Sequence, residues 1–342
     1  MRFVNIQVLR IVAAVAVLVF HLGIYFREVT GVETLLSRTM AHPSFSLGVP
    51  LFFAISGYVL THSLQSTPPR RFLLLRVLRL YPAYLIPAFL VNYGVHRGKS
   101  IVWDESFWKA ISLLPWGLAE CRYPLHIEWT LVYEVAFSVL LTVVTVLVGV
   151  KKGLDVVAFL WLGVCLVRLN IDPIAEVYLP TWLDLPMTTA NIPFLLGIFA
   201  YRVRERWPDW RVEVFVLSAL LLVFNFATRN FALVQALGCA GAVWSIAASR
   251  PISSQSWLVW AGDRSYGLYL VHVVALLLFF HSAQSLALQP SNGLLALAGA
   301  FALTVGLVYG DFELRLYRFL QRKLLGTAIR STAIPVANVG ER

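Results

Sequence analysis

Charged side chains are scarce in this sequence. Of its 342 residues, 13% are Asp, Glu, Lys or Arg and 59% are hydrophobic, and the mean hydropathy is +0.74. In a soluble globular chain roughly a quarter of the residues are charged. The low charge argues against a soluble domain, and several long apolar runs approach or exceed the roughly 20 residues that cross a bilayer as a helix. The composition therefore predicts an all-α, polytopic integral membrane protein.

Cysteine is also rare, and the short motifs of several enzyme classes are absent. The three cysteines, Cys121, Cys165 and Cys239, form no disulfide framework, and the cysteines and histidines match no metal-binding spacing. The sequence contains no HExxH, GxSxG or P-loop motif. We therefore expect no metal site and no tightly bound cofactor.

Apolar segments follow one another nearly from end to end, with no internal repeat and no low-complexity stretch. The segments are residues 4–26, 44–64, 70–93, 127–150, 154–169, 187–202, 212–228, 231–249, 256–281 and 293–313. They predict about ten transmembrane helices in one bundle, forming a single domain over residues 1–325 with a loose cytoplasmic tail at 326–342. Residues 101–120 are amphipathic and are expected to lie on the outer interface, with an eleventh span as the alternative.

Positive charge is concentrated between the apolar segments. The formal net charge is +10, but this placement fits membrane topology better than a nucleic-acid-binding stripe, so nucleic acid is not an expected partner. One set of loops carries roughly twice as many Lys and Arg residues as the other, which predicts that both termini are cytoplasmic in a protein of the cell (inner or plasma) membrane. The first apolar run lacks a small-residue cleavage site and contains Arg10, so we expect an uncleaved first span.

Arg10 and His21 enclose an unbroken apolar run in the first segment. Eleven residues at about 100° each make roughly three turns, so both side chains leave the same helix face, about 16 Å apart along the axis. Ionisable groups at this depth are costly unless they face a protein interior or a wet cavity. The pair indicates a reaction site along this face. The alternative is that Arg10 snorkels to the interface and His21 is a hydrogen-bonded packing residue.

Two more arginines lie inside a predicted span. Arg76 and Arg79 share a helix face and lie about 9–14 Å beyond the predicted helix start. A helix start with several arginines suits a phosphate group, whereas a buried ion-pair cluster is the alternative. Ser56 and Gly57, in the stretch FFAISGYVL, offer either a hydroxyl group or a notch for close helix packing.

One carboxylate and one more histidine lie in later spans. Glu134 is expected at the membrane level of His21, where a carboxylate can fix the tautomer of a histidine and raise its basicity. Alternatively, Glu134 is the ion-pair partner of one of the membrane arginines. Glu128 is expected nearer the solvated interface. His272 is either a second histidine of the site or a hydrogen-bonded core residue.

These stretches together resemble the acyltransferase 3 family of membrane O-acyltransferases. The resemblance spans residues 5–322, and its opening and the stretch WTLVYE are most similar to the exopolysaccharide and O-antigen branch. The stretches that carry it are NIQVLR followed by His21, FFAISGYVL, the paired arginines before Leu80-Tyr81-Pro82, WTLVYE, GDRSYGLYLVH and the closing YRFL.

The resemblance implies transfer of an acyl group, usually acetyl, from cytoplasmic acyl-CoA to a hydroxyl group of a cell-surface polysaccharide or its lipid-linked precursor. It implies catalytic roles for His21 and Glu134. The residues expected to bind the donor are Arg10, Arg76, Arg79, Ser56 and Tyr81. The residues expected to contact the acceptor are Trp129, Tyr133, Tyr266 and His272. The expected partners are acyl-CoA, the glycan acceptor and the lipid bilayer.

Three questions stay open at the level of the sequence. His21 would act either as a general base or as a covalent acyl relay. A transporter or flippase for an anionic or lipid-linked solute is the alternative function, because intramembrane Arg, His and Glu are equally expected there. A non-catalytic partner in an envelope polysaccharide complex is a second alternative.

Overall fold

The computed structural model describes residues 3–95, 104–117, 124–171, 180–204, 208–228 and 232–325. These ranges contain α-helices and short helical turns and no β-strand, which confirms the predicted all-α class. The α-helices are α1 (Val4–Thr30), α2 (Leu35–Met40), α3 (Gly48–Ser66), α4 (Pro69–Val95), α5 (Glu105–Ser112), α6 (Glu128–Val148), α7 (Leu154–Ile171), α8 (Asn191–Arg204), α9 (Arg211–Thr228), α10 (Ala232–Ala248), α11 (Trp257–Asp263), α12 (Ser265–Ser285) and α13 (Asn292–Leu325).

Each predicted span contains a helix, and within the described ranges seven helices are long and apolar enough to cross a membrane by themselves. These seven are α1, α3 with the turn before it, α4, α6, α7, α12 and α13. The protein is therefore a polytopic membrane protein. The segment predicted at 256–281 is divided at Arg264 into α11 and α12, and α8 has only 14 residues, or about 21 Å. The predicted tail at 326–342 lies outside the described residues.

The amphipathic segment predicted on the interface contains a short helix. α5 has eight residues, about 12 Å of helix, which is too short to cross a bilayer. The side chain of Asp104 accepts a hydrogen bond from the Phe107 backbone N–H at 2.9 Å and caps the start of the helix. The backbone at Leu113 is left-handed and ends it. The described part of this segment, 104–117, is therefore not an eleventh span.

The first helix lies at the centre of the bundle. α1 packs against α3, α11, α12 and α13, and the N–H of Gly31, at φ +69°, donates to the carbonyl of Arg27 at 2.9 Å to close its end. At its start, the buried Asn5 amide donates to three carbonyls at the end of α10, those of Ile246, Ser249 and Arg250, at 3.0–3.1 Å. Asn5 thus links the start of α1 to the end of α10 through hydrogen bonds.

Glycines bring α3 and α8 into direct backbone contact. A Cβ atom on Gly57 would lie 2.0 Å from the carbonyl oxygen of Phe194, and one on Gly197 would lie 2.2 Å from that of Ala54. Since no larger residue fits at this crossing, Gly57 is a packing residue here. The close crossing fixes the position of α3 in the bundle, and with it the position of the Ser56 hydroxyl.

Candidate active site

A cavity of about 310 Å³ lies between α1, α3, α4, α6 and α12; we call it the arginine cavity. Six residues that the sequence singled out line it. They are Arg10, Ser56, Arg76, Arg79, Glu134 and Tyr266. Five different helices therefore bring these six residues together.

Glu134 binds its partners in the arginine cavity rather than beside His21. Its Oε2 accepts a hydrogen bond from Arg76 Nη2 at 2.5 Å, and its Oε1 accepts one from the Ser56 hydroxyl. Arg76 Nε also donates to Ser138 Oγ at 3.2 Å. The predicted contact between Glu134 and His21 is not formed. Instead Glu134 neutralises a partly buried guanidinium, which would be costly in the membrane without a partner.

Arg79 also has an acidic partner. Its guanidinium pairs with Glu313 of α13, which is 1% exposed. The same guanidinium lies over the rings of Tyr266 and Tyr317, at 5.2 and 5.3 Å from their centres. Sequence reasoning missed Glu313, because it stands at the end of a predicted span, where a charge is ordinarily solvated. The one available signal was a pair of carboxylates, Asp311 and Glu313, directly after a long uncharged run.

Arg10 differs from the other two arginines of the cavity. Its Nη1 donates to Gln7 Oε1 at 3.4 Å, and no carboxylate of the described residues lies within 4 Å of it. Since Arg76 and Arg79 are each neutralised by a glutamate, the cavity walls carry one excess positive charge, on Arg10. Gln7 and His62, which the sequence analysis did not select, also line the cavity.

A second cavity, of about 160 Å³, adjoins the first; we call it the histidine cavity. His21 and Trp129 line it, together with the side chain of Gln235 from α10, another residue missed by sequence reasoning. Three of the described residues line both cavities: Val49, Phe53 and Tyr269. The face of α1 that carries Arg10 and His21 therefore runs from one cavity into the other.

His21 contacts the second membrane histidine. His21 Nδ1 lies 3.1 Å from the Val17 carbonyl oxygen and 3.0 Å from His272 Nε2. His272 Nδ1 lies 2.8 Å from the Tyr269 carbonyl oxygen. His272 is 1% exposed and lies behind His21 rather than on the wall of the cavity.

The remaining selected residues have other surroundings. The Tyr81 hydroxyl donates to the Ser112 carbonyl at 2.6 Å, so Tyr81 lies against α5 and lines neither cavity. Tyr133 is a fully buried core residue whose hydroxyl donates to Thr188 Oγ1 at 2.9 Å. Tyr266, expected on the acceptor side, lines the arginine cavity instead.

Glu128 is fully buried, contrary to the expectation that it is solvated. Its carboxylate accepts the backbone N–H groups of Leu125 and Ile127 at 2.7 and 2.9 Å. Both N–H groups belong to the residues just before α6, so the buried carboxylate holds this segment against the start of the helix.

The chain matches a known protein family over most of its length. A family model described as an acyltransferase domain, that of the acyltransferase 3 family, matches residues 3–310. No curated protein and no solved structure matches the chain. The chain belongs to the acyltransferase 3 family and is a multi-pass membrane acyltransferase.

Proposed function

We propose that this acyltransferase transfers an acetyl group from acetyl-CoA to a hydroxyl group of a cell-surface polysaccharide or its lipid-linked precursor. The observation that carries the proposal is the pair of adjoining cavities, one lined by arginines and the other by His21. A long donor with anionic phosphates at one end and a thioester at the other suits such a path, because arginine N–H groups are good donors to phosphate.

Arg10 is the residue best suited to the donor phosphates. It lines the arginine cavity, and among the described residues it has no carboxylate partner within 4 Å. The pantetheine arm of the donor then runs past Val49, Phe53 and Tyr269 to reach the histidine cavity. In this proposal Arg76 and Arg79 shape the cavity and add N–H donors, but their charges are already matched by Glu134 and Glu313.

The acceptor hydroxyl enters the histidine cavity, where His21 removes its proton as the oxygen attacks the thioester carbonyl carbon. The new C–O bond forms, the C–S bond breaks, and the proton on His21 passes to the leaving CoA thiolate. The products are the sugar ester and free CoA, and His21 returns to its neutral form. Trp129 and Gln235 line the same cavity and offer an apolar face and an amide group to a sugar.

The test is transfer by the purified protein in detergent or liposomes, with labelled acetyl-CoA and an oligosaccharide or polymer acceptor. His21→Ala is expected to lower transfer by about 10²–10⁴-fold, the usual contribution of a general base, while acetyl-CoA still binds. The matched control is His281→Ala, because His281 is an exposed histidine whose ring bonds to the Leu277 carbonyl of its own helix. Near wild-type transfer by His21→Ala would contradict the proposal.

A further inference from the structure

The contacts of the two histidines determine which ring nitrogens carry protons. A carbonyl oxygen only accepts hydrogen bonds, so the 2.8 Å contact with Tyr269 places a hydrogen on His272 Nδ1. A neutral imidazole carries one N–H, so His272 Nε2 holds a lone pair. His21 Nδ1, 3.0 Å away, must then donate its hydrogen to that lone pair. The Val17 carbonyl, 3.1 Å from the same nitrogen, requires the same tautomer.

The consequence is an unequal division of roles between the two rings. Both nitrogens of His272 are engaged, Nδ1 by Tyr269 and Nε2 by His21. On His21, Nδ1 is engaged and Nε2 keeps its lone pair for a group in the cavity that this residue lines. We propose that His272 is a positioning residue, which holds His21 in the Nδ1–H tautomer and supports the positive charge that His21 gains during the reaction. This inference rests on the proposed acyl transfer.

The choice of a neutral partner has a physical reason. A carboxylate beside His21 would place a full charge in apolar surroundings before the reaction, at a cost of several kcal/mol. The Nε2 lone pair of His272 is a neutral acceptor. When His21 takes the hydroxyl proton on Nε2, its Nδ1–H becomes a stronger donor and the contact with His272 strengthens. His272 therefore stabilises the protonated form more than the resting form, which is the property that accelerates a reaction.

Three variants test the role of His272. His272→Leu removes the acceptor, His272→Gln keeps a side-chain oxygen that can accept from His21, and His281→Leu is the control on the same helix. We expect His272→Leu to lower kcat by about 10–100-fold, by analogy with the loss of a partner that orients a metal-ligating histidine, with KM for acetyl-CoA unchanged. His272→Gln should recover most of the loss, and His281→Leu should match the wild type.

Two results would overturn the inference. Wild-type kcat in His272→Leu would show that the contact does not matter. Equal losses in His272→Leu and His272→Gln, with a matching fall in thermal stability, would show a structural role only.

A second measurement keeps this test independent of acyl transfer. The rate at which diethyl pyrocarbonate modifies His21, followed by peptide mass spectrometry, reports the nucleophilicity of its free nitrogen. We expect this rate to fall in His272→Leu and to be unchanged in His281→Leu. An equal rate in His272→Leu and the wild type would overturn the role of His272. An inactive wild type with a slower His21 modification in His272→Leu would contradict the proposed function alone.

Discussion

The three arginines of the arginine cavity have different electrostatic surroundings, although all three lie within membrane helices. Arg76 and Arg79 each face a glutamate, whereas Arg10 has, among the described residues, only the Gln7 side chain as a hydrogen-bond partner. An ion pair inside the membrane mainly offsets the cost of burying its two charges. A charge left without a carboxylate partner is instead available to an anionic ligand. The resemblance to the family implied the same donor-binding role for all three residues, and the structure separates their surroundings.

Arg10→Gln is therefore expected to weaken acetyl-CoA binding more than it weakens the fold. Losing hydrogen bonds to a charged phosphate costs about 1–3 kcal/mol, or roughly a tenfold rise in Kd for each 1.4 kcal/mol. Isothermal titration calorimetry with acetyl-CoA measures the affinity, and a thermal melt in detergent measures the stability.

Arg76→Gln is the contrasting variant, because it leaves Glu134 with its charge unmatched in a partly buried position. It should lower thermal stability, at a cost of about 3 kcal/mol, and the double variant Arg76→Gln with Glu134→Gln should recover part of the loss. If Arg10→Gln destabilises the protein as much as Arg76→Gln does while acetyl-CoA affinity stays normal, Arg10 is structural.

At the scale of the elements, the crossing of α3 and α8 determines where the site residues of α3 lie. Gly57 and Gly197 let the two backbones touch, and Ser56, next to Gly57, reaches Glu134 on α6. A wider crossing would carry Ser56 away from the carboxylate. The sequence offered a packing notch and a cavity hydroxyl as alternatives for this stretch. The structure contains both: Gly57 is the notch and Ser56 carries the hydroxyl.

Gly57→Ala is expected to destabilise the protein, because its Cβ would lie 2.0 Å from the Phe194 carbonyl oxygen. Inserting an atom into a packed crossing costs about 1–3 kcal/mol, and a thermal melt should show a lower Tm. Gly163→Ala on α7 is the matched control, since nothing lies within 4 Å of the position of its Cβ and alanine is the better helix former. Equal Tm values for the two variants would contradict the close crossing.

At the scale of the whole molecule, residues predicted to be cytoplasmic meet at one end of the bundle. The Arg204 guanidinium at the end of α8 lies over the ring of Phe3, at 5.2 Å from its centre. Arg202 Nε donates to Asp155 at 2.8 Å, and Arg202 also donates to the Val150 carbonyl, which joins the end of α8 to the start of α7. These contacts agree with the grouping of loops derived from Lys and Arg. Which side of the membrane this end faces stays a prediction.

Cysteine labelling from the two sides of the membrane tests that prediction. Leu35 and Gln255 are exposed positions separated by seven predicted spans, so the ten-span prediction places Leu35 outside and Gln255 inside. Each is replaced by cysteine in a chain whose Cys121, Cys165 and Cys239 are alanine. A membrane-impermeant maleimide added to intact cells should label Leu35→Cys alone. Labelling of both positions from the same side would contradict the ten-span arrangement.

The sequence by itself determined the helical elements and which side chains share one face of a helix. Apolar length predicted where each span lies, and helical periodicity predicted that Arg10 and His21 share one face of α1, which runs along both cavities. These features are local: hydrocarbon thickness and the repeat of the helix specify them without reference to any neighbour.

Only the tertiary structure decided which side chains meet. Glu134 faces Arg76 rather than His21, Arg79 faces Glu313, and His21 is held by His272. Which side chains pair depends on how each helix is rotated and how far it is shifted along its neighbours. The packing of small residues such as Gly57 determines both. A shift of one turn, about 5.4 Å, would exchange one partner for another while leaving every periodicity in the sequence unchanged.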